Sequence, residues 1–251
     1  MSSTQTIQSQ NLLELANHPI RSLNARIDWS AVTTRECGEP LVPVTSILSQ
    51  VIQCNPQYWL RGVPHSLDGC YCRRGAAQKL ARISDWLRAS HLTLVVWDAW
   101  RPVAVQKALY DAYKERLRHE YPHASEDELD AKTRRFVSFP SCDPARPSPH
   151  LTGGALDLTL GDAQGHALPM GTGFDDFSDC AMARYYEILR EQRPLTGQEF
   201  EFLRNRRILV HLMAQAGFIN YEEEWWHYDF GNRRWAAHAA QPAIYGPIER
   251  V

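Results

Sequence analysis

The sequence lacks three features that would assign it at once to a class of protein. It has no surplus of one charge, since 27 lysine and arginine residues face 29 aspartate and glutamate residues, giving a net charge of −2. It has no apolar run near the roughly 20 residues that a membrane-spanning helix needs. It also has no internal repeat and no low-complexity segment. A nucleic-acid partner and a membrane partner are therefore not expected.

The first residues also lack an export signal. The segment MSSTQTIQSQNLLEL has neither the basic start nor the apolar stretch of a secretory signal, which predicts a cytoplasmic protein. The six cysteines are scattered and are expected to be reduced, because a chain of this size needs no disulfides to fold. Cys70 and Cys72 have a C-x-C spacing, but no second half of a metal site accompanies them.

The patterning predicts a single domain, residues 1–251, with an irregular N-terminal arm over residues 1–45. Apolar residues at helical spacing predict a helix over residues 74–91, and the β-rich run Leu92–Trp97 predicts a buried strand. Further strands are expected at 154–160 and 225–230, and further helices at 102–117, 125–137, 182–190 and 196–216.

The order of these elements predicts the fold class. Strands and helices are mixed without regular βαβ alternation, and no glycine fingerprint follows a strand. An α+β fold with a mostly antiparallel central sheet and flanking helices is therefore favoured over a doubly wound fold.

Residues that can bind a metal ion or act as an acid or base are concentrated in three short segments: WDAWRP (97–102), SPHLTGGALD (148–157) and EEEWWHYD (222–229). A catalytic zinc ion takes three nitrogen or oxygen ligands and keeps one position open. His150, Asp157 and His227 supply two imidazoles and a carboxylate for such a site. A tight turn at Gly153 and Gly154 would let His150 and Asp157 face one point.

Two acidic residues, Glu224 and Asp229, are candidates for the group that acts beside the metal ion. Glu224, three residues before His227, would face the opposite side of a straight strand, so we expect it on a bend leading into the strand. There it would accept the proton of a zinc-activated water. Asp229 shares the face of His227 on a strand. The pattern alone leaves open whether Glu224 is the base or Asp229 a further ligand.

Each residue also has an ordinary structural interpretation. Histidines are more often satisfied core or surface residues than ligands, and this interpretation is kept for the other eight histidines. The acidic run 222–224 is by default a solvated loop, and Trp225 and Trp226 are by default packing residues. Arg101 would by default start a helix and pair with Asp98.

The combined motifs resemble one family. SPHLTGGALDLTL resembles the S-x-H-x-x-G-x-A-x-D zinc motif of the D-alanyl-D-alanine dipeptidases, the VanX-type enzymes related to D,D-carboxypeptidases. EWWH is similar to the family's E-x-x-H element, and WDAWRP resembles its strand-end arginine motif. MGTGFDDF (170–177) is similar to its M-G-T-x-F-D stretch. These four motifs occur in family order and span residues 97–230.

The resemblance implies a site in a cleft at the sheet, with a role for each matched position. One zinc ion per chain would bind His150, Asp157 and His227, and Glu224 would be the base, which decides against Asp229. Arg101 would stabilise the oxyanion. For substrate binding, Asp175 would receive the α-ammonium, and Ser148 and Trp225 would also contact the substrate.

Two positions depart from the family pattern. Pro149 replaces a small polar residue of the vancomycin-resistance enzymes and removes a backbone donor beside His150. Gly154 stands where another small residue is usual.

The resemblance therefore implies zinc-dependent hydrolysis of the zwitterionic dipeptide D-Ala-D-Ala to two D-alanines by a homo-oligomer. A peptidase of other small or cell-wall-derived peptides is one alternative. A non-catalytic zinc-binding interaction domain is the other, although binding alone would need neither Glu224 nor Arg101.

Overall fold

The computed structural model describes residues 12–23, 28–46, 51–141, 143 and 147–249. Its α-helices are α1 (Leu12–Leu15), α2 (Gln57–Leu60), α3 (Arg74–Arg88), α4 (Val103–Glu120), α5 (Glu126–Phe136), α6 (Tyr185–Gln192), α7 (Gly197–Gln215) and α8 (Arg233–Ala239). Its strands are β1 (Leu41–Pro43), β2 (Ile52–Cys54), β3 (Tyr71–Arg73), β4 (Thr93–Asp98), β5 (Ala155–Gly161), β6 (Ile219–Asn220) and β7 (His227–Asp229). No helix in these ranges is long and apolar enough to cross a membrane.

The central sheet has five strands in the order β2-β4-β5-β7-β6. The pairs β4–β5, β5–β7 and β6–β7 are antiparallel, whereas β2 and β4 are parallel. The α+β class is confirmed, but the sheet is mixed. The parallel pair arises because α2, β3 and α3 lie between β2 and β4 and return the chain to the same end of the sheet.

The core forms around β5. All seven residues of this strand are buried, because it lies between β4 and β7. Helix α3 packs against β4, and α7 packs against β5. The side chains of Leu156, Leu158 and Leu160 on β5 belong to the main hydrophobic cluster. The strand that carries Asp157 is therefore anchored on both sides and along its length.

The observed helix ends agree with the predicted ones where a capping residue or a glycine marks the end in the sequence. Ser125 and Thr196 form the two expected capping boxes, each accepting a hydrogen bond from the backbone N–H three residues later. Gly217 follows α7 with a φ of +89°. The helix expected at 182–190 begins later, at Tyr185, after a 3₁₀ turn at Asp179–Ala181.

The described part of the N-terminal arm contains short regular elements. These are α1, a 3₁₀ turn at Trp29–Ala31 and strand β1, which pairs with β3. Helix α1 contacts α7. Residues 1–11 and 24–27 lie outside the described ranges. The division of the chain into one domain stays a prediction.

Arg206 on α7 holds the loop that precedes α6. Its guanidinium is buried and donates hydrogen bonds to the carbonyls of Met170, Cys180 and Met182, each at 2.8 Å. These three carbonyls bracket the segment that carries Asp175. One buried cation thus fixes both ends of a long loop.

We expect Arg206→Ala to lower the free energy of unfolding by about 3 kcal/mol, because it leaves largely buried carbonyls without a donor. Denaturant unfolding measures this loss. Arg204→Ala, an exposed position on the same helix, is the matched control and should change stability by no more than about 0.5 kcal/mol. Equal changes in the two variants would contradict the role given to Arg206.

Candidate active site

A glycine turn orients His150 and Asp157. His150 begins a 3₁₀ turn (His150–Thr152) that Gly153 ends with a φ of +70°, a conformation that favours glycine. A Cβ on Gly154 would lie 2.3 Å from the carbonyl oxygen of Phe230, so only glycine allows the close approach of β5 to β7. The turn therefore brings the imidazole of His150 toward the start of β5.

The pairing of β5 with β7 places Asp157 directly opposite His227. Asp157 Oδ1 lies 3.1 Å from His227 Nδ1, and Asp157 Oδ2 lies 3.4 Å from His150 Nε2. The two imidazoles approach with His150 Nε2 and His227 Nδ1 3.2 Å apart. All three side chains are buried. The structure thus brings together the three residues that the sequence predicted as metal ligands.

The second nitrogen of each ring is held by an acceptor. His150 Nδ1 donates to the carbonyl of Ala99 at 2.7 Å, and His227 Nε2 donates to Asp229 Oδ1 at 3.2 Å. In the neutral tautomers with hydrogens on those nitrogens, His150 Nε2 and His227 Nδ1 are acceptors directed at each other and at Asp157. A cation bound between them would take the place of the extra proton that His227 otherwise carries, and acceptors behind metal-binding histidines are usual.

The electrostatics of the cluster also favour a positive charge. Burial lowers the pKa of His227, but the carboxylates of Asp229 and Asp157 outweigh it and raise this pKa to about 10. Burial and the nearby Arg101 hold the pKa of His150 well below its usual value, so this ring is neutral. Burial raises the pKa of Asp157 to about 6, against the opposing effect of His227.

Glu224 lies beside the cluster, in the turn that leads into β7. Its Oε2 is 3.8 Å from His227 Nδ1, and its side chain lines the cleft. Burial raises the pKa of Glu224 to about 7, with a further contribution from Asp157. A carboxylate with this pKa can both accept and return a proton near neutral pH.

Asp229 lies behind His227, away from the converging atoms. It is fully buried, and its Oδ1 accepts hydrogen bonds from His227 Nε2 and from Asn232 Nδ2 at 2.5 Å. Arg234 Nη1 is 3.4 Å from Asp229 Oδ2. Asp229 therefore orients the ring of His227 and contacts neither His150 nor the cleft.

Arg101 lies in the connection between β4 and α4 and is buried against the cluster. Its Nε donates to Asp98 Oδ2 at 2.9 Å, and its Nη2 lies 3.3 Å from Asp157 Oδ2. Nη1 donates to Gln106 Oε1 at 2.9 Å, and Nη2 also donates to the hydroxyl of Tyr58. Arg101 therefore pairs with Asp98, as expected of a residue before a helix, and also lies beside the candidate ligand Asp157.

The predicted substrate contacts divide into two groups. Asp175 and Ser148 line the same cleft as Glu224. Trp225 does not: it is 1% exposed, and its indole Nε1 donates to Thr172 Oγ1 at 2.7 Å. Trp226 lines the cleft instead. The substrate contact assigned to Trp225 stays a prediction, and the turn before β7 places the two rings without the alternation of a strand.

The departure at Pro149 has a structural role. Pro149 starts the 3₁₀ turn with a φ of −51°, and its carbonyl accepts a hydrogen bond from Thr152 Oγ1 at 2.6 Å. Proline suits this position because its fixed φ matches the turn.

The cleft has a volume of about 780 Å³. It includes residues for which the sequence offered no motif, among them Tyr58, Arg61 and Gln106. Tyr58 and Arg61 belong to the short segment around α2, which the patterning did not identify as a helix. Gln106 lies in the first turn of α4, five residues after Arg101, and the helical spacing rule of three or four residues does not link the two.

A family model described as D-Ala-D-Ala dipeptidase, within the peptidase M15 group, matches residues 66–241. The chain belongs to this family. It is therefore a hydrolase of the metallopeptidase class, as its motifs predicted.

Individual relatives carry the same description. A D-alanyl-D-alanine dipeptidase of Synechocystis is 28% identical over 239 residues, which cover 88% of this chain and 96% of that protein. A D-alanyl-D-alanine dipeptidase of Escherichia coli is 29% identical over 160 residues, covering 64% and 66% of the two chains. Among solved structures, the LdcB LD-carboxypeptidase matches with a TM-score of 0.43 and 16% identity, over 83% of this chain and 77% of that chain.

We expect Asp229→Ala to weaken binding of Zn²⁺ about 10- to 100-fold, because the ring of His227 loses the acceptor that orients it. Competition with a chromophoric chelator measures this affinity. Asp162→Ala, which removes an exposed carboxylate paired with His166, is the matched control and should leave the affinity unchanged. An unchanged affinity in Asp229→Ala would show that this contact does not support the site.

Proposed function

We propose that this protein is a zinc-dependent dipeptidase that hydrolyses D-Ala-D-Ala to two D-alanines. The observation that carries the proposal is the convergence of His150 Nε2, His227 Nδ1 and the Asp157 carboxylate beside Glu224 in one cleft. Membership of the dipeptidase family supports the choice of substrate.

The donor set fits zinc. Two imidazole nitrogens and one carboxylate, with the ring nitrogens on the far side already hydrogen-bonded, are typical of a catalytic zinc site that keeps a position open. When bound, zinc supplies Lewis acidity, which lowers the pKa of water from 15.7 to about 7 and polarises a carbonyl oxygen.

Glu224 is proposed to move the proton. Its Oε2, beside His227 Nδ1, would accept a proton from the attacking water and deliver it to the nitrogen of the departing D-alanine. The raised pKa of Glu224, about 7, suits both transfers. Asp229 cannot take this role, because its carboxylate lies behind His227 and is fully buried.

Arg101 is proposed to stabilise the negative charge that develops on the scissile carbonyl oxygen. Asp98, Gln106, Tyr58 and Asp157 hold its guanidinium, so little reorganisation is needed during the reaction.

The ends of the dipeptide are proposed to meet two further residues of the cleft. Asp175 would receive the α-ammonium, and Ser148 would lie near the substrate. A contact of Trp225 with the substrate would need a movement of its ring, which is 1% exposed. A zwitterion needs a few placed charges of this kind, which agrees with the balanced charge of the chain.

We expect Glu224→Gln to lower kcat for D-Ala-D-Ala by at least about 10²-fold while zinc content stays near that of the wild type, because the amide keeps the shape but cannot accept a proton. Release of D-alanine measures turnover, and L-Ala-L-Ala is the comparison substrate. Glu223→Gln, a neighbouring position that is more exposed, is the matched control.

A Glu224→Gln variant that retains most of its turnover would refute the assigned base. Equal wild-type hydrolysis of D-Ala-D-Ala and L-Ala-L-Ala would refute the proposed substrate class.

A further inference from the structure

Cys54 and Cys70 form a pair of thiols near the candidate active site. Cys54 is the last residue of β2, and Cys70 directly precedes β3. The backbone N–H of Cys70 donates a hydrogen bond to Cys54 Sγ at 3.1 Å, and Cys70 Sγ lies 3.7 Å from the carbonyl oxygen of Val96. The five cysteines that the structure describes are all free thiols. The two residues are thus in contact without a covalent bond.

The two thiols differ in reactivity. Cys54 is half-buried, and its contacts with the thiol and the N–H of Cys70 lower its pKa to about 7, against the opposing effect of burial. Cys70 is 4% exposed, and its contact with Cys54 together with burial raises its pKa. Because the thiolate is the nucleophile, Cys54 is the sulfur that an oxidant attacks first. Cys70 then lies within reach of the oxidised sulfur.

The chain between Cys54 and Cys70 carries a residue that contacts the candidate active site. This stretch includes α2, in which Tyr58 is buried. The hydroxyl of Tyr58 accepts a hydrogen bond from Arg101 Nη2 at 3.3 Å and donates one to Asp175 Oδ1 at 3.1 Å. The spacing of the two cysteines therefore affects the position from which Tyr58 reaches Arg101.

We propose that Cys54 and Cys70 are a modification site, at which a peroxide converts the two thiols into a disulfide that weakens the contact of Tyr58 with Arg101. The proposed hydrolysis uses neither sulfur, so the thiol chemistry is independent of the proposed function, whereas the effect on activity rests on it. A reversible disulfide agrees with cysteines that are reduced in the resting protein.

The disulfide is expected to move Tyr58 because it shortens the distance between the two sulfurs. A disulfide holds its sulfurs about 2.05 Å apart, much closer than a non-bonded contact. Cys70 is the better-held end, since it is buried and its carbonyl accepts a hydrogen bond from the N–H of Val44 at 3.0 Å. Cys54 ends a three-residue strand at the edge of the central sheet. The Cys54 end therefore takes up most of the movement, and the hydrogen bond of 3.3 Å between Tyr58 and Arg101 has little length to spare.

The reaction consumes one hydrogen peroxide per disulfide. The Cys54 thiolate attacks one oxygen, the O–O bond breaks, and the departing hydroxide takes up a proton to become water, which leaves a sulfenic acid on Cys54. The sulfur of Cys70 then attacks Cys54 Sγ, the S–O bond breaks, and the oxygen leaves as a second water with the proton of Cys70. Two thiols are oxidised, and the peroxide is reduced to two waters.

The first test follows the thiols of the purified zinc-loaded protein after treatment with a small excess of hydrogen peroxide. Thiol titration should show the loss of two of the six thiols per chain. Mass spectrometry after tryptic digestion without reductant should show peptide 36–61 joined to peptide 62–73. Each peptide holds a second cysteine, Cys37 in the first and Cys72 in the second, so variants are needed to assign the bond.

Three variants assign the bond. Cys54→Ser and Cys70→Ser should each abolish the cross-link, and Cys70→Ser should accumulate a sulfenic acid on Cys54 that dimedone traps. Cys37→Ser is the matched control, because Cys37 is exposed and lies in the same tryptic peptide as Cys54, and this variant should keep the cross-link. A cross-link that survives in Cys54→Ser, or a wild type that keeps all its thiols, would overturn the inference.

The second test measures hydrolysis of D-Ala-D-Ala before and after oxidation. Formation of the disulfide should lower kcat about tenfold with a smaller change in KM, because Arg101 loses a group that positions it. A phosphine reductant should restore kcat, and Cys54→Ser should keep its kcat in peroxide.

A cross-linked wild type with unchanged kcat would overturn the proposed effect on Tyr58. A reduced wild type that does not hydrolyse the dipeptide would refute the proposed function instead. The cross-link is measured without a substrate, so these two failures are distinguishable.

Discussion

The pairing of β5 with β7 is the constraint on which the candidate site depends. It fixes Asp157 opposite His227, and the close approach of the two strands requires the glycine at position 154. The turn at Gly153 then brings His150 to the same point. Because β5 is buried along its whole length, these three side chains are held by the core and need no mobile loop to assemble.

Around these three side chains, the buried charges are paired with neighbouring ionic or hydrogen-bonding groups. Asp229 and the carbonyl of Ala99 fix the two imidazoles from behind, while Arg101 links Asp157 to Asp98. Each buried charge has a partner of opposite sign or a hydrogen-bond donor, as the cost of isolated buried charge requires.

The pairing of charged side chains continues to the mouth of the cleft. There, Tyr58 connects Arg101 to Asp175, and Arg61 completes the pairing. The charges proposed for catalysis and for substrate binding thus belong to one hydrogen-bonded network.

Local sequence signals predicted the parts of this arrangement that local chemistry determines. The capping boxes at Ser125 and Thr196 gave helix starts, and the glycine turn after His150 gave the relation of two candidate ligands. Which of Trp225 and Trp226 borders the cleft was not predictable, because both lie in a turn without regular alternation.

Other features depended on long-range packing. The parallel pairing of β2 with β4 depends on how the intervening helices fold back. Two possible roles of Asp229 could not be separated from the sequence, since strand alternation does not say which ring nitrogen an acid will meet. The contact of Arg61 with Asp175 joins residues 114 positions apart and has no motif.

The proposed mechanism requires that His150, Asp157 and His227 hold one zinc ion. The most direct test is the metal content of the purified protein and of His150→Ala, measured by mass spectrometry, with circular dichroism to confirm that the variant is folded. We expect one zinc ion per chain in the wild type and loss of most of it in a folded His150→Ala. A folded variant that retains stoichiometric zinc would refute the assignment of His150 as a ligand.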